Sequence, residues 1–138
     1  MTSTSSAQDA LTLAGRVLIA MLFVPSGVSK LLGFAGIAGY IASKGVPLPQ
    51  VCAAIAVAAE LGLGLLVLFG WRARHAAVGL SIFVAVITPI FHNYWDLPQA
   101  QSMVQRQLFN KNVAIVGGLL LLAAFGPGRF ALQRKPER

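Results

Sequence analysis

The stretch AVAAELGLGLL, Ala56 to Leu66, places one carboxylate, Glu60, in a run otherwise made of alanine, valine, leucine and glycine. It lies in a longer apolar segment from Gln50 to Phe69, bounded by Gly45, Pro47 and Pro49 on one side and Gly70 on the other. Those breakers delimit a helix. About 20 apolar residues at 1.5 Å each cover the roughly 30 Å of a bilayer's hydrocarbon core. The segment therefore reads as a transmembrane helix, and Glu60 falls near its middle.

Composition supports that reading across the chain. Of the 138 residues, 57% are hydrophobic and 11% are charged. Soluble domains run at roughly 45–50% and 25%. So small a soluble domain would leave much of this apolar area facing water. Lipid is the solvent the composition fits. The net charge of +7 lies in short loops and the C-terminal tail and forms no basic face, which points away from nucleic acid as a partner. Cys52 is the only cysteine, so neither an internal disulfide nor a dithiol relay is available.

The pattern of apolar runs and breakers predicts an all-α, integral membrane four-helix bundle. Residues 1–9, rich in Ser and Thr, read as a disordered N-terminal tail. Spans are expected at about 10–34, 50–69, 73–91 and 108–125, with His92 to Gln107 as a polar segment before the last. Gly126, Pro127 and Gly128 stop the fourth span, and 129–138 reads as a basic cytoplasmic tail. Four spans put both termini on one side. That side carries Arg72, Arg74, Arg129, Arg134, Lys135 and Arg138, against Lys44 and Arg106 opposite. The positive-inside rule then makes both termini cytoplasmic. A faint repeat joins GLGLLVLFG, Gly62 to Gly70, to GGLLLLAAFG, Gly117 to Gly126.

Glu60 is too short to snorkel to an interface, so it must be protonated, hydrated or paired. Arg16 and Lys30 on the first span are the candidate partners, since 14 residues at 100° leave them about 40° apart in azimuth. Ala56, Ala59, Gly62 and Gly64 would let a neighbouring helix come close. Pro25, Ser26 and Gly27, just before Lys30, suggest a kink whose freed carbonyls line a polar pocket. His92 and Asn93 after the third span, with Lys111 and Asn112 entering the fourth, would complete a polar cluster opening outward with Glu60 as its floor. His75 and His92 stand at opposite ends of the third span, about 25 Å apart, so bis-histidine haem ligation is excluded. No metal site is expected, because Glu60 and His92 alone supply too few ligands.

The chain resembles the DoxX family of small four-helix membrane proteins over about Leu13 to Leu132. The resemblance rests on Arg16, SGVSK (Ser26–Lys30), KGVPLP (Lys44–Pro49), AAELGLG (Ala58–Gly64), FGWRAR (Phe69–Arg74), His92 and GPG (Gly126–Gly128). The family's usual Ser-Leu-Asp ending is replaced by Arg129, Phe130 and Ala131, so no role of that aspartate carries over. The resemblance implies a multi-pass bacterial-type inner-membrane protein whose matching polar positions are Arg16, Lys30, Glu60 and His92. It also implies an association with quinol-linked oxidase or thiosulfate:quinone oxidoreductase systems.

Three functions follow as expectations. The first is an accessory or quinone-interacting subunit of a membrane oxidoreductase, working beside a redox partner or as a homo-oligomer. The second is a non-enzymatic binding or transport module for a small solute or peptide. The third is a purely structural role, in which Glu60 pairs with Arg16 or Lys30 to fix helix register.

Overall fold

A computed structural model describes residues 5–133, and among them all regular structure is helical. In chain order the elements are α1 (Ser6–Leu32), α2 (Phe34–Ser43), α3 (Pro49–Val57), a π-helical turn (Ala58–Leu63), α4 (Gly64–Phe69), α5 (Ala73–Phe91), a 3-10 turn (Tyr94–Asp96) and α6 (Gln99–Phe125). Among the described residues four helical segments are long and apolar enough to cross a membrane: Ser6–Leu32, Pro49–Phe69, Ala73–Asp96 and Gln99–Phe125. The second of these is α3, the π turn and α4 read as one rod. Large apolar side chains such as Leu32 (83% exposed) and Phe125 (80%) point outward, as lipid-facing residues do.

Three boundaries differ from the sequence reading. The expected tail 1–9 is already helical from Ser6, because Ser5 and Gln8 close a capping box: Gln8 N donates to Ser5 Oγ (3.3 Å) and Ser5 N to Gln8 Oε1 (2.9 Å). That reciprocal pair satisfies two helix-end donors, which apolar periodicity does not register. Residues 1–4 lie outside the described residues. The fourth span starts at Gln99 instead of about 108. Its first turns are polar, and glutamine is a good helix former, so a hydropathy criterion clips them.

The third difference is α2, which the sequence reading left without an element. Gly33 ends α1, and the next ten residues form a helix too short to span, about 15 Å long. Phe34, Ile37, Ala38 and Ile41, one face at helical spacing, pack with Val46, Cys52, Ala53 and Phe91. The rings of Tyr40 and Phe91 lie 5.5 Å apart. This small cluster roofs the end of the bundle away from the termini.

The main core joins all four spans through Phe23, Val67, Ala76, Ala77, Leu80, Val84, Leu119 and Leu122. Helix approach depends on small residues, and the structure selects which ones. A Cβ on Gly27 would stand 2.6 Å from Leu61 N, and one on Gly64 would stand 3.1 Å from Val24 Cγ2. Gly62, also expected to open an approach, has nothing within 4 Å. Gly27→Ala should therefore cost about 1–3 kcal/mol through overpacking. Gly62→Ala should be neutral or stabilising by up to about 1 kcal/mol. Thermal unfolding of the two variants in detergent checks the contrast, and equal melting of both would contradict the packing described.

Both ends of the described chain meet at one end of the bundle. Arg129 N donates to Asp9 Oδ1 (2.9 Å), Leu132 N to Phe69 O (2.9 Å) and Arg72 N to Gln133 Oε1 (2.8 Å). The first five residues of the expected basic tail 129–138 are thus docked as a strap over the helix ends. Arg134, Lys135 and Arg138 lie outside the described residues.

Candidate functional site

Glu60 sits in the π turn, 5% exposed. A π turn widens the helix by one residue per turn and re-aims the side chains it carries. Gly27 meets the backbone of Leu61, a residue of the π turn, so α1 runs unusually close there. One turn on from Gly27, Lys30 Nζ reaches Glu60 Oε2 at 2.9 Å and donates to Ser26 Oγ at 2.6 Å. Pro25 remains inside the continuous α1.

This ion pair is asymmetric. The Glu60 side chain is 7% exposed and that of Lys30 is 25% exposed. An ammonium has three donors. Two go to Glu60 and Ser26, and the third has no partner among the described residues. Glu60 lies about ten residues from either end of its span, hence about 15 Å deep. A partly uncovered cation at that depth is costly against hydrocarbon and favours a polar occupant.

Arg16, the other candidate counter-charge, is elsewhere. Buried to 2% exposure, it donates from Nε to Val67 O (3.0 Å), from Nη2 to Leu68 O (2.7 Å), and from Nη1 to Pro127 O (2.8 Å) and Phe130 O (2.6 Å). It caps the last turn of α4, where carbonyls and the helix dipole attract a cation. It also ties the C-terminal strap to that turn. Arg16 and Lys30 both reach the second span from one side of α1, but their depths separate them: Arg16 is level with Val67 and Leu68, and Lys30 with Glu60.

His92 and Asn112 belong to separate contacts. His92 Nδ1 is 2.8 Å from Gln105 Oε1. Asn112 Nδ2 donates to Thr88 Oγ1 (3.0 Å), whose own hydroxyl donates to Val84 O (2.6 Å). Among the described residues no hydrogen bond links either contact to Lys30 and Glu60. Ser26, Thr88 and Gln105 were missed as partners in the sequence. Thr88, a hydroxyl in an apolar run, and Ser26, one turn before Lys30, carried local signals.

A shared plan relates the two halves of the bundle. Arg74, near the start of α5, donates to Ala123 O (2.8 Å), Ala124 O and Phe125 O (3.0 Å) at the end of α6. Arg16 on α1 does the same for α4. Both capped helices end in Phe-Gly with the glycine at positive φ, 72° at Gly70 and 88° at Gly126. Each helical pair also carries a polar cross-contact in its other half, Lys30–Glu60 in the first and Thr88–Asn112 in the second.

The DoxX family model matches residues 11–93, a range holding Arg16, Lys30, Glu60 and His92. The chain belongs to the DoxX family. Among relatives of this DoxX protein, the inner membrane protein YphA of Escherichia coli is 37% identical over 131 residues, covering 94% of the chain and 93% of that protein. The inner membrane protein YqjF of the same organism is 35% identical over 130 residues, covering 92% of each. The ER-derived vesicles protein ERV29 of Saccharomyces cerevisiae is 24% identical over 131 residues, 95% of the chain but 35% of its own length. No solved structure matches the chain. Its four spans and its relatives make this DoxX protein a multi-pass inner-membrane protein.

Proposed function

We propose that the Lys30–Glu60 pair is the head-group site for a lipid-soluble quinone, and that the protein is a quinone-interacting accessory subunit of a membrane oxidoreductase with both termini cytoplasmic. The observation that carries this reading is the partly exposed Lys30 ammonium, paired 2.9 Å from a buried carboxylate at mid-membrane depth and retaining a donor. A quinone carbonyl is an acceptor of the right polarity, on a molecule that lives at this depth. When bound, a quinone would supply two-electron, two-proton redox chemistry, with electrons delivered by a partner's cofactor. Lys30 would donate to the carbonyl and orient it. Glu60 would hold Lys30 in place and offer a carboxylate for proton exchange beside it.

Gentle solubilisation followed by mass spectrometry should find quinone retained by the native protein. Lys30→Met should lower retention about 10- to 100-fold, the worth of one hydrogen bond from a charged donor. Unchanged retention in a folded Lys30→Met protein would remove the quinone reading.

A second reading, a binding module without redox chemistry, is favoured by the likeness to ERV29, a protein named for ER-derived vesicles. Lys30 would then receive an acidic group of a small solute or peptide. The same mass spectra distinguish the two by what is bound.

A further inference from the structure

The strap at the terminal end of the bundle presents side chains that its docking does not use. Ala131 faces inward, where a Cβ on Gly70 would stand 2.5 Å from the Ala131 Cβ. Leu132 N and Gln133 Oε1 bond to the turn at Phe69 and Arg72. The apolar side chains on either side of Ala131 are turned outward instead, Phe130 at 52% exposure and Leu132 at 74%. Trp71, in the turn to which the strap is bonded, is 54% exposed. Phe69 and Phe125, the last residues of α4 and α6, also face outward. Together they carry the lipid-facing surface of the spans past the helix ends and onto the strap.

Among the described residues the exposed charge at this end has one sign. Arg72 and Arg129 are exposed, and only their backbone N–H groups are engaged, with Gln133 Oε1 and Asp9 Oδ1. Asp9 itself is buried, Glu60 lies mid-span and Asp96 stands at the opposite end. The strap sets the two arginines apart: Arg129 stands where it meets α1 at Asp9, and Arg72 where it meets the turn between α4 and α5. Arg16 holds Phe130 O from within, so the outward side chains are presented on a fixed backbone.

We infer that the strap and the turn between α4 and α5 form a seat for anionic phospholipid. Phe130, Leu132 and Trp71 enter the boundary between headgroups and acyl chains, where apolar area and an amphipathic indole are both favoured. Arg72 and Arg129 take headgroup phosphates, which the guanidinium fork matches. A soluble anion would suit the arginines alone and leave Phe130 and Leu132 in water. The bilayer suits both, because the exposed apolar surface of the strap is continuous with that of the spans. The seat is independent of what Lys30 and Glu60 hold.

Tryptophan quenching in phosphatidylcholine vesicles tests this. In a Trp95→Phe background Trp71 is the sole tryptophan, and lipids brominated high on their acyl chains quench it when they sit on this face. Brominated phosphatidylglycerol should be preferred over brominated phosphatidylcholine about 5- to 25-fold at low salt, about fivefold for each arginine. Arg72→Gln and Arg129→Gln should each lower the preference about fivefold, the two together should abolish it, and about 0.5 M salt should shrink it. Lys44→Gln and Arg106→Gln, at the opposite end, should leave it unchanged. Leu132→Trp, combined with Trp71→Phe and Trp95→Phe, should be quenched by either brominated lipid and shielded from aqueous acrylamide. Equal quenching of Trp71 by the two lipids, a preference that survives loss of both arginines, or a Leu132→Trp side chain open to acrylamide overturns the inference. Displacement of brominated phosphatidylglycerol by millimolar glycerophosphate does so too, since it would make the face a site for soluble anions.

Discussion

Arg16→Met should cost about 3–5 kcal/mol, enough to abolish folded yield in a marginally stable bundle. The guanidinium is buried and gives one donor each to Val67 O, Leu68 O, Pro127 O and, in the strap, Phe130 O. Removing it leaves several carbonyls without a donor where water cannot replace it, at about 1–3 kcal/mol for each that stays dry. The helix-end dipole also loses its counter-charge. Arg16→Lys should recover less than half of the loss, since three donors on one nitrogen cannot span carbonyls on two chain segments. Thermal unfolding by circular dichroism and size-exclusion yield measure both. Wild-type melting of Arg16→Met would mean that the strap and α4 are held by something else.

The second large effect concerns the pair itself. Glu60→Gln removes the counter-charge and leaves the Lys30 ammonium with neutral acceptors, the amide oxygen and Ser26 Oγ, and should destabilise the protein by about 2–4 kcal/mol, toward the lower side because Lys30 is partly exposed. Adding Lys30→Gln should restore most of that loss, because two neutral amides can hydrogen-bond across the same gap. Arg16→Gln added to Glu60→Gln should deepen the loss additively, the two sites sharing no partner. A double-mutant cycle in which Arg16→Gln rescues and Lys30→Gln does not would reverse the assignment. The same cycle separates a structural pair from a ligand site: stability restored without restored ligand retention means that the charges serve binding.

The two effects share a logic visible in the paired halves of the bundle. In each, an arginine on one helix, in the half toward the termini, closes the carbonyl end of its neighbour, and a polar contact crosses between the same two helices further along. The repeated Phe-Gly endings in the sequence mark where the two arginines act. The surrounding side chains do not repeat, because each helix meets different neighbours. Among the described residues the buried ion pair lies in the first half, whereas the second half has the neutral Thr88–Asn112 contact.

The sequence by itself determined the solvent and the spans. Length, apolar content and breakers act locally, so the segment holding Glu60 was legible as a membrane helix, and a carboxylate at its centre demanded a partner. The family likeness and the polar positions Arg16, Lys30, Glu60 and His92 were legible as well. Only the tertiary structure decided which cation pairs. Azimuth on a helix follows from residue number, but depth relative to a neighbour depends on where two backbones touch, and Gly27 against Leu61 is that contact. It also decided that AVAAELGLGLL is not a regular α-helix. The π turn at Ala58–Leu63 arises where the close approach of α1 meets the need to bury Glu60, and no local preference of alanine, leucine or glycine encodes it. His92 and Asn112 separated from Glu60 for the same reason: residues near one end of a bundle share a neighbourhood in sequence logic, but only packing selects which of them touch.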